Sequence, residues 1–358
     1  MLLAGIFPPV TTPYYPDGQV YFKKLEHNLE RYSKTPVAGI VVLGSTGEAI
    51  MLSDQEQRDV LKVARDVVYP NKVLIAGTGS ESAIETLRLT EYAAELGYDV
   101  ALVRTPHYYK KQMQPANMLA FYRTVGDRAS IPIMLYSVPS LTGYDLPAEV
   151  AIELADHPNI IGLKESGGDI EKIKRMVERT RHVKREAPVT QIFEAVTQRM
   201  IKAANKEASE KSRSRELVSI SEQGGVSLSS SVATAAELSI KTRQKQVGFQ
   251  VLAGAANKLH ASLSAGATGA VLAFADPAPT ACYEVYAAWK EGDDALAQLK
   301  QERIAVAGER LVSHMGIPAL KYAMDLNGYF GGPSRLPLLP LTAEEKADVE
   351  RLMADIRN

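Results

Sequence analysis

Short apolar runs rich in Val, Ile and Leu alternate along the chain with longer stretches in which apolar residues recur every three or four positions. Runs that are apolar on both faces suit parallel strands buried between layers, and the stretches of helical period suit the crossover helices that join them. The pattern predicts eight strands: Ala4–Val10, Val37–Leu43, Lys72–Ala76, Asp99–Val103, Ile131–Tyr136, Ile160–Lys164, Gly248–Leu252 and Gly269–Phe274. Between them it predicts helices at Tyr21–Ser33, Ser53–Val68, Ser82–Gly97, Pro115–Ala129, Pro147–Ala155 and Asp169–Arg181. Ser53 precedes Asp54 and Glu56, so its hydroxyl caps the first free N–H groups while the carboxylates complement the positive helix end. Gly97 supplies a left-handed stop. Eight strand–helix units with both sheet faces covered close into a (β/α)8 TIM barrel of the α/β class, with a doubly wound open sheet as the alternative.

Two segments fall outside that count. After the eighth strand, Pro277–Glu291, Asp294–Met315, Pro318–Leu326 and Thr342–Ile356 all have helical period, which predicts a C-terminal helical extension. The barrel then occupies 1–291 and the helical region 292–358. Between helix 6 and strand 7 lie roughly sixty residues more than an ordinary connection needs, so Val183–Gln246 is an insertion interrupting the barrel. Thr190–Asn205 places Ile192, Phe193, Val196, Met200 and Ala203 on one helical face and predicts a packed helix. Ser209–Ser231, with nine serines, Gly224 and Gly225, reads as a mobile link or short hairpin. Because the insertion follows a helix and precedes a strand, barrel geometry puts it at the N-terminal face, opposite any active site.

Composition narrows the functional classes. The 358 residues include 41 Lys+Arg and 42 Asp+Glu, for a formal charge of −1, so no broad positive field favours nucleic acid or an anionic membrane as a partner. The one cysteine, Cys282, cannot form an internal disulfide, and MLLAGIFPPV lacks the basic and cleavage regions of a secretory leader. A cytoplasmic location is the expectation. Gly77-Thr78-Gly79 lacks the third glycine of a dinucleotide fingerprint, no Gly-rich loop ends in Lys-Ser/Thr, and the six histidines show no close ligand spacing. The loops after strands 7 and 8, Ala253–Asn257 and Ala275–Pro279, are not the Gly-rich pair usual for phosphate. These absences predict no cofactor, no metal and an unphosphorylated substrate.

In a barrel the reacting groups come from the C-terminal strand ends. The second strand ends in Gly44-Ser45-Thr46-Gly47-Glu48, two hydroxyls between glycines that suit a small anion or, equally, a tight turn. Thr105-Pro106-His107-Tyr108-Tyr109 and Tyr136-Ser137-Val138-Pro139 bring phenols to two neighbouring ends, and that position singles out Tyr109 and Tyr136 from sixteen tyrosines. The sixth strand runs from Ile160-Ile161-Gly162-Leu163 into Lys164, followed by Glu165-Ser166-Gly167-Gly168-Asp169. An amine desolvated there is a nucleophile toward a carbonyl; alone, an ion pair with Glu165 or Asp169 would be the simpler reading. Hydroxyls from three other strand ends favour the nucleophile.

Together, Gly44–Glu48, Tyr136–Pro139 with Thr142-Gly143, and Gly162–Asp169 with its lysine resemble the dihydrodipicolinate synthase and N-acetylneuraminate lyase family of Schiff-base-forming, pyruvate-handling class I aldolases. The likeness spans almost the whole chain outside Val183–Gln246. It implies a barrel with a C-terminal helical extension, assembled as a homotetramer built from dimers. Carried onto the matching positions, Lys164 forms the Schiff base and Tyr136 relays protons. Ser45 and Thr46 hold the pyruvate-derived carboxylate and join the relay, and Tyr109 is the tyrosine lent across a dimer interface.

Within that family, synthases carry an arginine for the second carboxylate in the motif that here reads Tyr136-Ser137-Val138-Pro139-Ser140-Leu141-Thr142-Gly143, and position 141 is leucine. The Tyr-Ser-Val-Pro start, Lys164–Asp169, Phe249–Gly254, Gly316-Ile317-Pro318 and Gly328–Pro333 are similar to 4-hydroxy-2-oxoglutarate aldolase, with Ser166 and Gly254 as further substrate contacts. The resemblance therefore implies a metal-independent lyase, without cofactor, that splits 4-hydroxy-2-oxoglutarate into pyruvate and glyoxylate. The alternative is the synthase, condensing pyruvate with aspartate semialdehyde. In both readings the partners are a small 2-oxo acid and an aldehyde.

Overall fold

A computed structural model of the protein describes residues 1–206 and 240–356. Its strands are β1 (Gly5–Phe7), β2 (Gly39–Val42), β3 (Val73–Gly77), β4 (Val100–Arg104), β5 (Ile133–Ser137), β6 (Ile160–Glu165), β7 (Arg185–Thr190), β8 (Thr242–Val247), β9 (Gln250–Ala253) and β10 (Gly269–Val271). All but β7 and β8 form one parallel sheet in the order β1-β10-β9-β6-β5-β4-β3-β2. The two ends of that sheet meet. Ala38 N donates to Ile6 O at 2.9 Å and Val41 N to Pro8 O at 3.0 Å, so the sheet closes into the TIM barrel rather than staying open.

Each expected strand is present, with shifted ends. The run Ala4–Val10 pairs only through Gly5–Phe7, because Pro8 and Pro9 have no N–H to continue the ladder. The run from Gly269 leaves the sheet at Leu272, where the chain enters a 3-10 turn, Ala273–Ala275. Alternation sorts the side chains between two layers. Val41, Ile75, Val100, Leu102, Met134, Tyr136, Leu252 and Val271 pack together inside the barrel. Ala101, Val103, Leu135 and Leu163 pack outward against the helices.

Three of the barrel helices start on side-chain caps, the first of them at Ser53 as expected. Ser53 forms a full capping box with Glu56, Ser82 accepts from Glu85 N, and Asp169 accepts from Lys172 N. Gly97 closes the helix Ala83–Leu96 at φ 88°. After the barrel come the helices Pro279–Lys290, Asp294–Glu309, Ile317–Leu326 and Ala343–Met353, with a π-helical turn at Arg310–Met315. Val285, Ile304, Leu311, Leu320, Val349 and Met353 from this region share a core with Ile6 and Ala270 of the barrel. Among the described residues, no helix is long and apolar enough to cross a membrane.

The insertion corrects one expectation. Thr190–Asn205 is not a single helix: β7 and β8 pair antiparallel over Arg185–Thr190 and Thr242–Val247, and Phe193 turns the chain at φ 63°. Helix begins only at residue 198. Ile192 and Phe193, expected to pack, lie exposed in the turn, whereas Val196 is buried. The Ser209–Ser231 segment lies outside the described residues.

The described part of the insertion sits at the N-terminal end of the barrel. Gln198 N donates to Asp99 Oδ1 at 2.9 Å, Arg199 Nη1 to Val68 O at 2.7 Å, and Arg185 Nη2 to His157 O at 2.7 Å. These partners precede β4, β3 and β6. Ala187, Val189 and Val247 cover Leu2 on the same side.

Candidate active site

At the opposite end, strand phase decides which side chains reach the barrel mouth. Lys164 on β6 is 4% exposed and stands in register beside Tyr136 on β5, which is 5% exposed. The Lys164 Nζ lies 4.2 Å from the centre of the Tyr136 ring, and the Tyr136 hydroxyl lies 3.3 Å from Ser45 Oγ. Three of the residues singled out from sequence thus meet in one place.

Neither carboxylate expected to compete for Lys164 does so. Glu165 faces the outer layer, where it accepts from the N–H groups of Gly167 and Gly168 at 2.8 Å each, with Lys172 Nζ at 3.9 Å. Asp169 caps the helix Ile170–Arg179. One acidic group does feel the lysine, and sequence reasoning passed over it. Asp276, just beyond β10, is wholly buried, and neither of its carboxyl oxygens has a hydrogen-bond partner among the described residues. Burial pushes its carboxyl well above the usual range, against the pull of the Lys164 charge.

The loop after β2 is built as a cradle. Gly47 N donates to Gly44 O at 3.0 Å and Glu48 N to Ser45 O at 3.1 Å, while the N–H groups of Ser45 and Thr46 donate to no described residue. Successive free N–H groups beside two hydroxyls form a concavity for an anion. At Gly47 a Cβ would lie 2.9 Å from Val10 O, so only glycine fits.

Glu48 takes a left-handed backbone at φ 54° and is held from far along the chain. Its Oε1 lies 2.5 Å from Lys321 Nζ, both side chains being buried. Lys321 also donates to Thr12 O and Pro333 O at 2.9 Å each, and Arg335 N donates to Glu48 Oε2 at 3.1 Å. Removing one partner of such a pair leaves a buried, uncompensated charge. Lys321→Met is therefore expected to lower the unfolding free energy by about 3–5 kcal/mol, read from the urea midpoint.

The remaining sequence candidates divide. Ser166 and Gly254 lie against each other just beyond the paired ends of β6 and β9: a Cβ at Gly254 would overlap Ser166 Oγ, so glycine there leaves room for that side chain. Thr46 is buried in the cradle loop. Tyr109 is 66% exposed, packs edge-on against Tyr108, and does not join the cluster of its own chain. Leu141, on the single helical turn Pro139–Thr142, is 64% exposed.

The site also contains a side chain that sequence reading missed. Arg104, the last residue of β4, is in register with Tyr136 and lines a cavity of about 380 Å³ together with Ser45, Gly77, Gly79 and Tyr136. Its Nη1 lies 2.8 Å from Glu81 Oε1. Burial would raise the Glu81 carboxyl, but hydrogen bonds from Arg104 and the N–H groups of His107 and Tyr108 hold it below its ordinary value. The signal for Arg104 was its phase, two residues beyond inward-facing Leu102. Among the described residues, no three His, Cys, Asp or Glu gather as metal ligands.

The chain matches the profile of the dihydrodipicolinate synthetase family over residues 2–186 and 215–356. It is 28% identical over 358 residues to a 4-hydroxy-tetrahydrodipicolinate synthase of Methanothrix thermoacetophila, covering 99% of this chain and 98% of that one. A protein of the same name from Methanococcoides burtonii is 29% identical over 343 residues, covering 96% of this chain and 94% of that one. Among solved structures, a dihydrodipicolinate synthase from Bacillus anthracis superposes with a TM-score of 0.76 at 22% identity, covering 99% of both chains, a likeness of fold. A chloride-inhibited dihydrodipicolinate synthase from Acinetobacter baumannii, complexed with pyruvate, has a TM-score of 0.76 at 25% identity and covers 99% of both chains.

Proposed function

The chain belongs to the dihydrodipicolinate synthetase family, and from that premise we propose that it is a Schiff-base-forming class I aldolase that joins or parts pyruvate and a small aldehyde. The observation that carries this reading is Lys164, buried at the mouth, with no carboxylate at ion-pair distance among the described residues and with a phenol and a hydroxyl beside it. An amine so placed is a nucleophile held in position rather than half of an ion pair.

In this mechanism the pyruvate carboxylate sits on the Ser45 and Thr46 hydroxyls and N–H groups, with the ketone toward Lys164. The Nζ adds to the ketone carbon, and Tyr136 passes a proton to the departing oxygen, which leaves as water. The resulting iminium draws electrons from the adjacent C–H bond as a proton is lost from C3. The enamine carbon then attacks the aldehyde carbon, whose oxygen takes a proton, and water hydrolyses the iminium to free the lysine. Cleavage runs the same steps backward. Ser45 connects the phenol to the carboxylate end, which gives the proton a path away from the reacting bond.

The names of the relatives support aspartate semialdehyde as the aldehyde and condensation as the direction, since the likeness extends over nearly the whole chain. Leu141 supports a second reading, cleavage of 4-hydroxy-2-oxoglutarate to pyruvate and glyoxylate, because an apolar residue stands where synthases carry an arginine. A side-by-side assay of both reactions separates them. We further propose a homotetramer of dimers in which Tyr109, exposed in its own chain, completes the relay of a neighbouring protomer.

The aldolase reading itself is tested by incubating the protein with pyruvate and borohydride. The peptide bearing Lys164 should gain the mass of one reduced pyruvate adduct. An unchanged peptide mass would refute it.

A further inference from the structure

Both aldehydes weighed above carry a carboxylate, and the mouth must neutralise it. Position 141 cannot, being leucine. Arg104 is placed to do so. Val100 and Leu102, earlier on β4, pack in the barrel interior with Tyr136, whereas Ala101 and Val103 pack outward. Arg104 is the next inward position, and its register partner is Tyr136, whose own partner on the next strand is Lys164.

Three details show a guanidinium held in place with one edge spare. First, a Cβ at Gly79 would overlap the backbone N and the Cγ of Arg104, so glycine there clears the lane for this side chain. Second, the contacts of the guanidinium run through Nη1: to Glu81 Oε1 at 2.8 Å, to His107 Nδ1 at 2.9 Å and to Thr105 O at 3.5 Å. Glu81 is in turn fixed by the N–H groups of His107 and Tyr108 at 2.9 Å each. Third, the Nε and Nη2 edge donates to no described residue, while the residue is only partly exposed, 17% by its side chain, and lines the cavity shared with Ser45 and Tyr136. Two parallel N–H groups on one side of a planar fork fit a carboxylate bidentately.

We propose that Arg104 is the specificity residue that binds the carboxylate of the aldehyde partner, through its Nε and Nη2 edge, while the cradle after β2 takes the carboxylate of pyruvate. This assignment rests on the aldolase reading of the site. It makes the substrate class a dianionic one: a 2-oxo acid joined to a second carboxylate.

The test compares the wild-type enzyme with Arg104→Gln and Arg104→Lys. Pyruvate is the donor; glyoxylate and aspartate semialdehyde are the charged acceptors, acetaldehyde the uncharged one. For Arg104→Gln, kcat/KM with the better charged acceptor should fall about 100-fold, chiefly through KM, while acetaldehyde changes by less than about threefold. Arg104→Lys, which keeps the charge without the fork, should fall between. Borohydride trapping of pyruvate should keep its half-saturation in both variants, which also reports that the site is folded.

An unchanged ratio of charged to uncharged acceptors in Arg104→Gln would overturn the proposal. So would an equal rise in the pyruvate half-saturation, which would assign the guanidinium to the donor instead. Failure of the wild-type enzyme to trap pyruvate is a different result: it removes the aldolase reading, and this assignment with it.

Discussion

Lys164→Ala should reduce turnover to background, a loss on the order of 10⁶-fold, the scale on which deleting a covalent nucleophile acts. No described neighbour can replace it, because the other buried amines are committed elsewhere: Lys321 to Glu48 at 2.5 Å behind the cradle loop, Lys172 to Asp145, and Lys72 to the carbonyls of Thr35 and Val37 at 2.8 Å each. The same substitution should leave the fold intact. Lys164 gives up hydration on burial and recovers no ion pair from a described carboxylate, so truncating it removes an unfavourable burial as well as methylene packing. These effects oppose each other, and the thermal midpoint should move by no more than a few degrees. Steady-state assays, borohydride trapping and thermal unfolding on one sample check all three statements. Near-normal turnover would refute the mechanism.

Tyr136→Phe should slow turnover by about 10²–10⁴-fold, the range for losing one positioned acid–base group. The replacement keeps the ring, and with it the face on which Lys164 Nζ rests 4.2 Å from the centroid. Only the hydroxyl at 3.3 Å from Ser45 Oγ disappears. Lys164 thus keeps its place and loses its proton relay. Trapping of pyruvate should consequently proceed to the same extent but at a reduced rate, which a timed quench with borohydride reads directly. Ser45→Ala keeps the phenol and removes one link behind it, so its effect should be smaller, roughly 5–10-fold, as for one neutral hydrogen bond. Equal effects at the two positions would mean that the two hydroxyls act as a single relay rather than Tyr136 with Ser45 as a lesser support.

The barrel was legible because each of its parallel strands is a local run of apolar residues, and its helices carry their own caps at Ser53, Ser82 and Asp169. Those signals need no distant partner. Strand ends were less legible: where pairing stops depends on the neighbour, as at Pro8 and Pro9 in β1. The insertion misled for the same reason. Ile192, Phe193, Val196, Met200 and Ala203 match a helical period, yet Thr190 is already committed to pairing with Thr242 across a long intervening segment. Local periodicity carries no information about such a partner.

The site was legible where chemistry is unusual for its position, as with a lysine ending an apolar strand. Arg104 and Asp276 escaped because each lies beside an ordinary-looking stretch, and only strand phase or complete burial sets it apart. Tyr109 was visible in the sequence, but the structure leaves it outside the cluster of its own chain.

The clasp between Glu48 and Lys321 also has a temporal side. A ribosome makes the glutamate early and the lysine only after every barrel strand has emerged. Until then Glu48 has no counter-charge to settle against, so the loop that carries Ser45 and Thr46 lacks its support from the far side. The loop after β2 is therefore complete only once residue 321, some way past the last barrel strand, has been made.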